Sequence, residues 1–129
     1  METKRDYYDN GTLRYERRYE DGRPHGLWRG WRPDGTLRYE ERYENGKPHG
    51  TWRGWHENGT LNYKDYYDHG QPHGLWCGYY PDGTLRYEQR YENGKRHGVQ
   101  RGWHENGNIA YERYYDHGQP HGIWRDWAS

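Results

Sequence analysis

Leu and Tyr alternate with charged residues along most of this chain. The segment TLRYERRY at 12–19 shows the pattern, and close copies of it recur to the end of the sequence. Such alternation, rich in Tyr and Leu, predicts half-buried β-strands, and Pro or Gly returns too often for a long helix. Two kinds of turn separate the strands. The short one is (P/E)(D/N)G, as in Pro33-Asp34-Gly35. It predicts a type I turn closed by a glycine bulge, with Arg32 facing Thr36 and Trp31 facing Leu37. The longer one is (D/N/H)G-x-(P/R)-H-G, as in Asn45-Gly46-Lys47-Pro48-His49-Gly50.

The turns recur at fixed spacing. Gly11, Gly35, Gly59, Gly83 and Gly107 lie 24 residues apart, and units starting near these positions align without a register shift. A fixed period of this size marks a repeat array. A second period of 48 overlies the first: residues 35–58 closely match 83–106, and YYDHGQPHG occurs in both 59–82 and 107–129. Duplication of a two-unit block followed by drift, such as Trp52 against Gln100, is the simplest account, and an engineered consensus with deliberate variation is the alternative. The prediction is an all-β fold over residues 1–129 as one domain: an open, twisted, single-layer antiparallel meander of tandem hairpins, about eleven strands in all. Terminal strands at 3–8 and 123–128 cap it.

An odd strand number would pair first and last strands parallel, which disfavours closure into a barrel. Open edges need protection. Gly30, Gly54, Gly78 and Gly102 share one column, where the terminal strands carry Asp6 and Asp126, and Lys4 stands in the column of a tryptophan. Inside the array the column glycines leave room for a neighbouring Trp or Arg across the bare backbone.

Strict alternation assigns the faces. One face collects Leu27, Arg29 and Trp31 with Leu37, Tyr39 and Tyr43; the other collects Trp28, Gly30 and Arg32 with Thr36, Arg38 and Glu40. The columns Tyr15/Tyr39/Tyr63/Tyr87/Tyr111 and Tyr19/Tyr43/Tyr67/Tyr91/Tyr115 are unbroken, so the first face is the aromatic one.

Tyr39-Glu40 through Tyr43, then ENGKPHG at 44–50, then Trp52 through Trp55 resemble a MORN repeat: YEG-x-W, NGK-x-HG, then an aromatic strand. The match is closer to MORN-variant bacterial proteins of the YwqK-like antitoxin type, and it covers residues 7 to 127. NGK-x-HG is strict at 45–50 and 93–98, while DGRPHG and HGQPHG depart from it. The second glycine of YEG is replaced by Arg17, Glu41, Asp65, Gln89 or Arg113. The resemblance implies an open meander of β-hairpins, and a toxin as the partner.

Composition adds three constraints. Leu, Ile, Val and Phe supply only nine residues, a level that suggests disorder. Zero formal net charge and 19% aromatic content argue for folding instead, because Trp and Tyr can replace an aliphatic core. A neutral balance also disfavours nucleic acid as a partner. The single Cys77 excludes an intrachain disulfide framework, and no apolar stretch suits a signal-peptide core or membrane span, which predicts a cytoplasmic protein.

Histidine is the main candidate for chemistry. His25, His49, His73, His97 and His121 form a column, but equivalent positions two strands apart are about 9–10 Å from each other, too far to share a zinc ion. The pattern predicts imidazoles packed in their turns and bonded to backbone. His69 with His73, and His117 with His121, lie four apart and offer only two ligands each. His56-Glu57 and His104-Glu105 flank short turns without a convergent pocket. No catalytic residue, cofactor or metal ligand is assigned, and the chain reads as a non-enzyme.

The aromatic face is the candidate binding surface, since a single-layer sheet has nothing of its own to cover it. The residues assigned to a partner are Trp31, Tyr39, Tyr43, Trp55, Tyr63, Tyr67, Tyr79, Tyr87, Tyr91, Trp103 and Tyr111. A protein or extended peptide is the first choice of partner. The alternatives are stacking on a membrane lipid head group, a glycan or single-stranded nucleic acid, and a homodimer closing face to face.

Overall fold

The computed structural model describes residues 1–128. Strand β1 (Glu2–Tyr7) leads. The first unit contributes β2 (Leu13–Glu20), β3 (Arg23–Pro24) and β4 (Gly26–Trp31). The second contributes β5 (Leu37–Glu44), β6 (Lys47–Pro48) and β7 (Gly50–Trp55). The third has β8 (Leu61–Asp68), β9 (Gln71–Pro72) and β10 (Gly74–Tyr79). The fourth has β11 (Leu85–Glu92), β12 (Lys95–Arg96) and β13 (Gly98–Trp103). The fifth has β14 (Ile109–Asp116), β15 (Gln119–Pro120) and β16 (Arg125–Asp126).

All sixteen lie in one antiparallel sheet whose order follows the sequence, with β1 at one end and β14, β15 and β16 at the other. The sheet is open, as the meander predicts. Its first cap is Glu2–Tyr7, one residue earlier than the spacing suggests. The last is much shorter than 123–128, because only Arg125 and Asp126 pair with β14.

The short turn forms as predicted. Trp31 faces Leu37, Arg32 N–H donates to the Thr36 carbonyl at 2.8 Å, and Gly35 N–H donates to the Arg32 carbonyl at 2.8 Å. Beyond it lies a feature that alternation alone does not show. Trp31 pairs with Leu37 but Gly30 pairs with Tyr39, so Arg38 is an extra residue on its strand. The same shift follows Asp6, Gly54, Gly78 and Gly102. A bulge of one residue exchanges the two faces for every side chain after it.

The face assignment is therefore corrected. Tyr39, Glu41 and Tyr43 share a face with Trp28 and Gly30, whereas Leu27, Arg29 and Trp31 share the other with Glu40 and Arg42. The ring lying across the Gly30 backbone is Tyr39, not a Trp or Arg. A β-carbon at Gly30 would overlap that ring, and Gly54, Gly78 and Gly102 meet Tyr63, Tyr87 and Tyr111 in the same way.

The long turn resolves into two devices. Asn45 and Gly46 both adopt left-handed backbone, φ 50° and 83°, which makes a two-residue hairpin turn of the primed kind. After β6, His49 and Gly50 form a second bulge: Tyr43 pairs with Pro48, but Glu40 pairs with Arg53. The bulge leaves the Arg42 carbonyl accessible. His49 N–H donates to it at 3.0 Å and Trp52 Nε1–H at 2.9 Å.

Neighbouring units are stapled through their turns. Gly46 N–H donates to the Pro24 carbonyl at 2.8 Å, and Asn45 N–H donates to His25 Nδ1 at 3.3 Å. Among the described residues no apolar side chain is fully buried; the buried residues are the four column glycines and Gln100, which is 3% exposed. The half-buried aromatic layer takes the place of a core. At the edges, Asp6 pairs with Arg14, Lys4 Nζ sits 5.0 Å over the Tyr19 ring, and Asp126 meets Arg113 at 3.1 Å.

Candidate functional site

The corrected face carries a run of tilted rings. Centroids step from Tyr19 to Trp28 at 5.3 Å, Trp28 to Tyr43 at 4.7 Å, Tyr43 to Trp52 at 5.3 Å and Trp52 to Tyr67 at 4.9 Å. It continues through Trp76 to Tyr91, at 5.1 and 4.8 Å. These are favourable aromatic separations. Each tryptophan also donates Nε1–H to a carbonyl ten residues earlier: Trp28 to Arg18, Trp52 to Arg42, Trp76 to Tyr66 and Trp124 to Tyr114.

The run breaks once. Gln100 occupies the tryptophan position, keeping the donor bond to the Arg90 carbonyl at 3.0 Å and accepting from Arg90 N–H at 3.0 Å. No ring lies there between Tyr91 and Tyr115. Arg96 takes that place, donating Nη1–H to the Tyr115 hydroxyl at 3.3 Å with its guanidinium 5.5 Å from the ring centre. Hydrogen bonds to Tyr91 and then Tyr115 raise the Arg96 pKa. Stacking resumes from Tyr115 to Trp124 at 5.1 Å.

Of the sequence-assigned binding residues, Tyr39, Tyr43, Tyr63, Tyr67, Tyr87, Tyr91 and Tyr111 lie together on this face. Trp31, Trp55, Tyr79 and Trp103 lie on the opposite one, paired with Leu37, Leu61, Leu85 and Ile109. Trp28, Trp52, Trp76 and Trp124 belong to the aromatic face instead, and strict alternation misplaces them.

The opposite face carries Arg and Glu pairs. Arg29 with Glu40 and Arg5 with Glu16 meet at 2.9 Å, and Arg101 with Glu112 at 3.0 Å. The third unit lacks such a pair, since Lys64 lies opposite both Arg53 and Cys77.

Charges punctuate the aromatic face at the positions where the MORN pattern has glycine. Arg17 lies 3.9 Å from the Tyr15 ring centre, and Arg113 lies 4.6 Å from that of Tyr111. Between them sit two carboxylates. Burial raises the Glu41 pKa, while a 3.2 Å bond from the Tyr43 hydroxyl works against that shift. Asp65 is pushed up to about 6 by burial. Its Oδ1 is buried with no hydrogen-bond partner. Length explains the contrast: Gln89 also accepts from a tyrosine, Tyr91, at 3.2 Å, and Asp is one carbon shorter than Glu or Gln. Burial, with Glu41 and then Asp65 behind it, also pushes Tyr63 up to about 12.

Between units the face is dimpled. A depression of about 340 Å³ is lined by Tyr8, Arg14, Tyr15, Arg17, Arg38 and Tyr39, with Trp31 at the strand end where its carbonyl accepts from the Tyr8 hydroxyl. Its counterpart one unit on, about 300 Å³, has Glu41 in place of Arg17 and Asn62 in place of Arg38. Charge varies along the face accordingly: Arg14 and Arg17 in the first unit, Arg38 and Glu41 in the second, Asn62 and Asp65 in the third, then Arg86 with Gln89, and Ala110 with Arg113.

The histidines have structural partners. His56 Nε2–H donates to the Tyr79 carbonyl at 2.7 Å and His104 Nε2–H to the Trp127 carbonyl at 2.8 Å. Arg32 makes the equivalent bond to the Trp55 carbonyl, Tyr8 to that of Trp31, and Tyr80 to that of Trp103. Five positions thus do one job with three side-chain types, and His56 and His104 are two of them. In the long turns His69 meets His49 of the preceding unit, with ring centres 4.5 Å apart, not its own His73. His117 meets His97 at the same 4.5 Å.

No helix long and apolar enough to cross a membrane occurs among the described residues. No curated protein matches the chain. A family model described as MORN repeat variant matches five successive segments, 3–21, 24–47, 48–70, 72–95 and 96–119. With most of its length matched in tandem and its hairpins in one open sheet, the chain belongs to the MORN repeat variant family.

Proposed function

We propose that this protein is a non-enzymatic scaffold that holds an extended protein segment along its Tyr/Trp face, with a basic side chain of that segment seated at Glu41 and Asp65. The observation that carries this reading is the Asp65 carboxylate, half buried among rings with one oxygen unpartnered. A carboxylate so placed costs stability unless something cationic answers it. Tyrosine and tryptophan around it offer ring faces that attract the same cation.

The flanking charge extends the fit. Arg17 lies two units from Asp65, about 19 Å away across four strands at ordinary spacing, while Arg113, equally far on the other side, already pairs with Asp126. A segment with a Lys or Arg at Asp65 and an acidic residue some six positions away, toward Arg17, complements that pattern. An antitoxin-like neutraliser is one form of such a scaffold, and the sequence resemblance favours it.

Selection from a displayed library of random linear peptides tests the reading. Enrichment of sequences with a central basic residue, lost on Asp65→Asn and on Tyr63→Ala, is the expected result. Enriched peptides that bind both variants as well as wild type would remove the site assignment. Co-sedimentation with anionic vesicles, or a dimer in light scattering abolished by Tyr63→Ala, would favour a lipid or a second copy of the chain in place of a peptide.

A further inference from the structure

The stapling histidines are not all alike. At His25 the next turn presents Asn45, and at His73 it presents Asn93. At His49 and His97 it presents a second imidazole, His69 or His117, whose backbone N–H makes the same bond to Nδ1 at 3.0 and 3.1 Å. A carboxylate closes each of these two clusters: His49 Nε2 lies 3.3 Å from Glu44, and His97 Nε2 lies 3.5 Å from Glu92. In each, one nitrogen per imidazole and one carboxylate oxygen all fall within 4.8 Å of one another.

We propose that Glu44, His49 and His69, and again Glu92, His97 and His117, form two binding sites for a divalent transition metal ion, zinc first. Two imidazoles and a carboxylate are a common zinc donor set, with water completing the tetrahedron. Imidazole and carboxylate donors without thiolate suit zinc, nickel or copper over soft monovalent ions.

The surroundings fit that role. Asp68 Oδ1 lies 2.6 Å from His69 Nδ1, and Asp116 Oδ1 lies 2.6 Å from His117 Nδ1. A carboxylate that accepts a hydrogen bond from Nδ1–H fixes the tautomer and leaves the Nε2 lone pair free for a metal. His49 has to change tautomer. Without metal its Nδ1 accepts the His69 amide, so Nε2 carries the proton and points it toward Glu44, 3.3 Å away. A metal ion between Nε2 and Glu44 displaces that proton to Nδ1, toward Asp68 Oδ1 at 4.0 Å; the distance at His97 and Asp116 is 3.7 Å. Loading thus exchanges an amide staple for a metal staple across the same two units. The 48-residue period places the sites in alternate units, about 19 Å apart at normal strand spacing.

Isothermal titration of the tag-free full chain with zinc chloride tests this. Asn is the control substitution, because Asn45 and Asn93 hold the same turn position at φ 50° and 49°. Two zinc ions per wild-type chain are expected, one after His69→Asn, and none after His69→Asn with His117→Asn, each lost site weakening at least about tenfold. Zinc should raise the melting temperature of wild type and leave that of the double variant unchanged, with matching circular dichroism in the absence of metal. Zinc binding that survives in the double variant, or no binding by wild type at micromolar zinc, would overturn the proposal.

Discussion

Trp52 and Gln100 occupy the same column two units apart, and their surroundings differ in an instructive way. Trp52 does two things at once: it stacks between Tyr43 and Tyr67, and it donates to the Arg42 carbonyl. In the fourth unit these tasks are divided. Gln100 keeps the bond to the Arg90 carbonyl, and Arg96, standing where other units have proline, lies against Tyr115. A position in a repeat array is therefore defined by the contacts it must supply, and two residues in one unit can supply what one does elsewhere.

Removing the ring should do the most damage. Trp52→Ala should cost about 3 kcal/mol, read as a lower urea midpoint, whereas Gln100→Ala should cost only about 1 kcal/mol for a lost hydrogen-bonding group. Equal costs would show that stacking contributes little beyond the indole hydrogen bond. Next comes the coupling between the two halves of the fourth-unit solution. Arg96→Pro removes the filler, and Gln100→Trp introduces a ring where Arg96 already lies. Together they restore the pattern of the other units. The double variant should be more stable than the sum of the single changes implies, by about 1 kcal/mol; simple additivity would separate Arg96 from the column.

A milder consequence distinguishes Asp65 from its neutral counterpart Gln89. The Asp65 pKa in the fold is about 6, raised from 3.8, so the folded state holds its proton more tightly than the unfolded chain. Stability therefore falls as pH rises through that interval and levels off above about 6. Asp65→Asn should remove this slope. It should stabilise the protein by about 1 kcal/mol at neutral pH after allowance for solvent screening and leave it unchanged below about pH 3.5. A stabilisation of equal size at both ends of that range would assign the effect to shape, not charge.

Much of this architecture is legible in the residues themselves. Glycine spacing reveals the period, Pro33-Asp34-Gly35 reveals the turn and the pairing of Trp31 with Leu37, and Asp6, Lys4 and Asp126 reveal the protected edges. The faces are not legible, because the bulge at Arg38 carries no residue signature: Arg14, Arg38, Asn62, Arg86 and Ala110 share that position without sharing chemistry. A slip of one residue there sends Trp31 and Trp55 to the wrong side. The fourth-unit exchange leaves a trace that reads as drift, since Arg96 and Gln100 depart from the pattern within one unit. His49 and His69 stay hidden for another reason: twenty residues separate them, and their meeting depends on the primed turn reaching back to the preceding hairpin.

That reach has a direction. Each new turn delivers its two amide protons to a proline-position carbonyl and a histidine nitrogen that lie earlier in the chain, as Gly46 and Asn45 do with Pro24 and His25. No long turn waits for a later one before these two backbone amides are satisfied, whereas the short turns reach forward, as Asn58 Nδ2–H does to the Pro81 carbonyl. A chain leaving the ribosome from its amino end would find the acceptors for each next long turn already built, so this set of staples is wired to form in the order of synthesis.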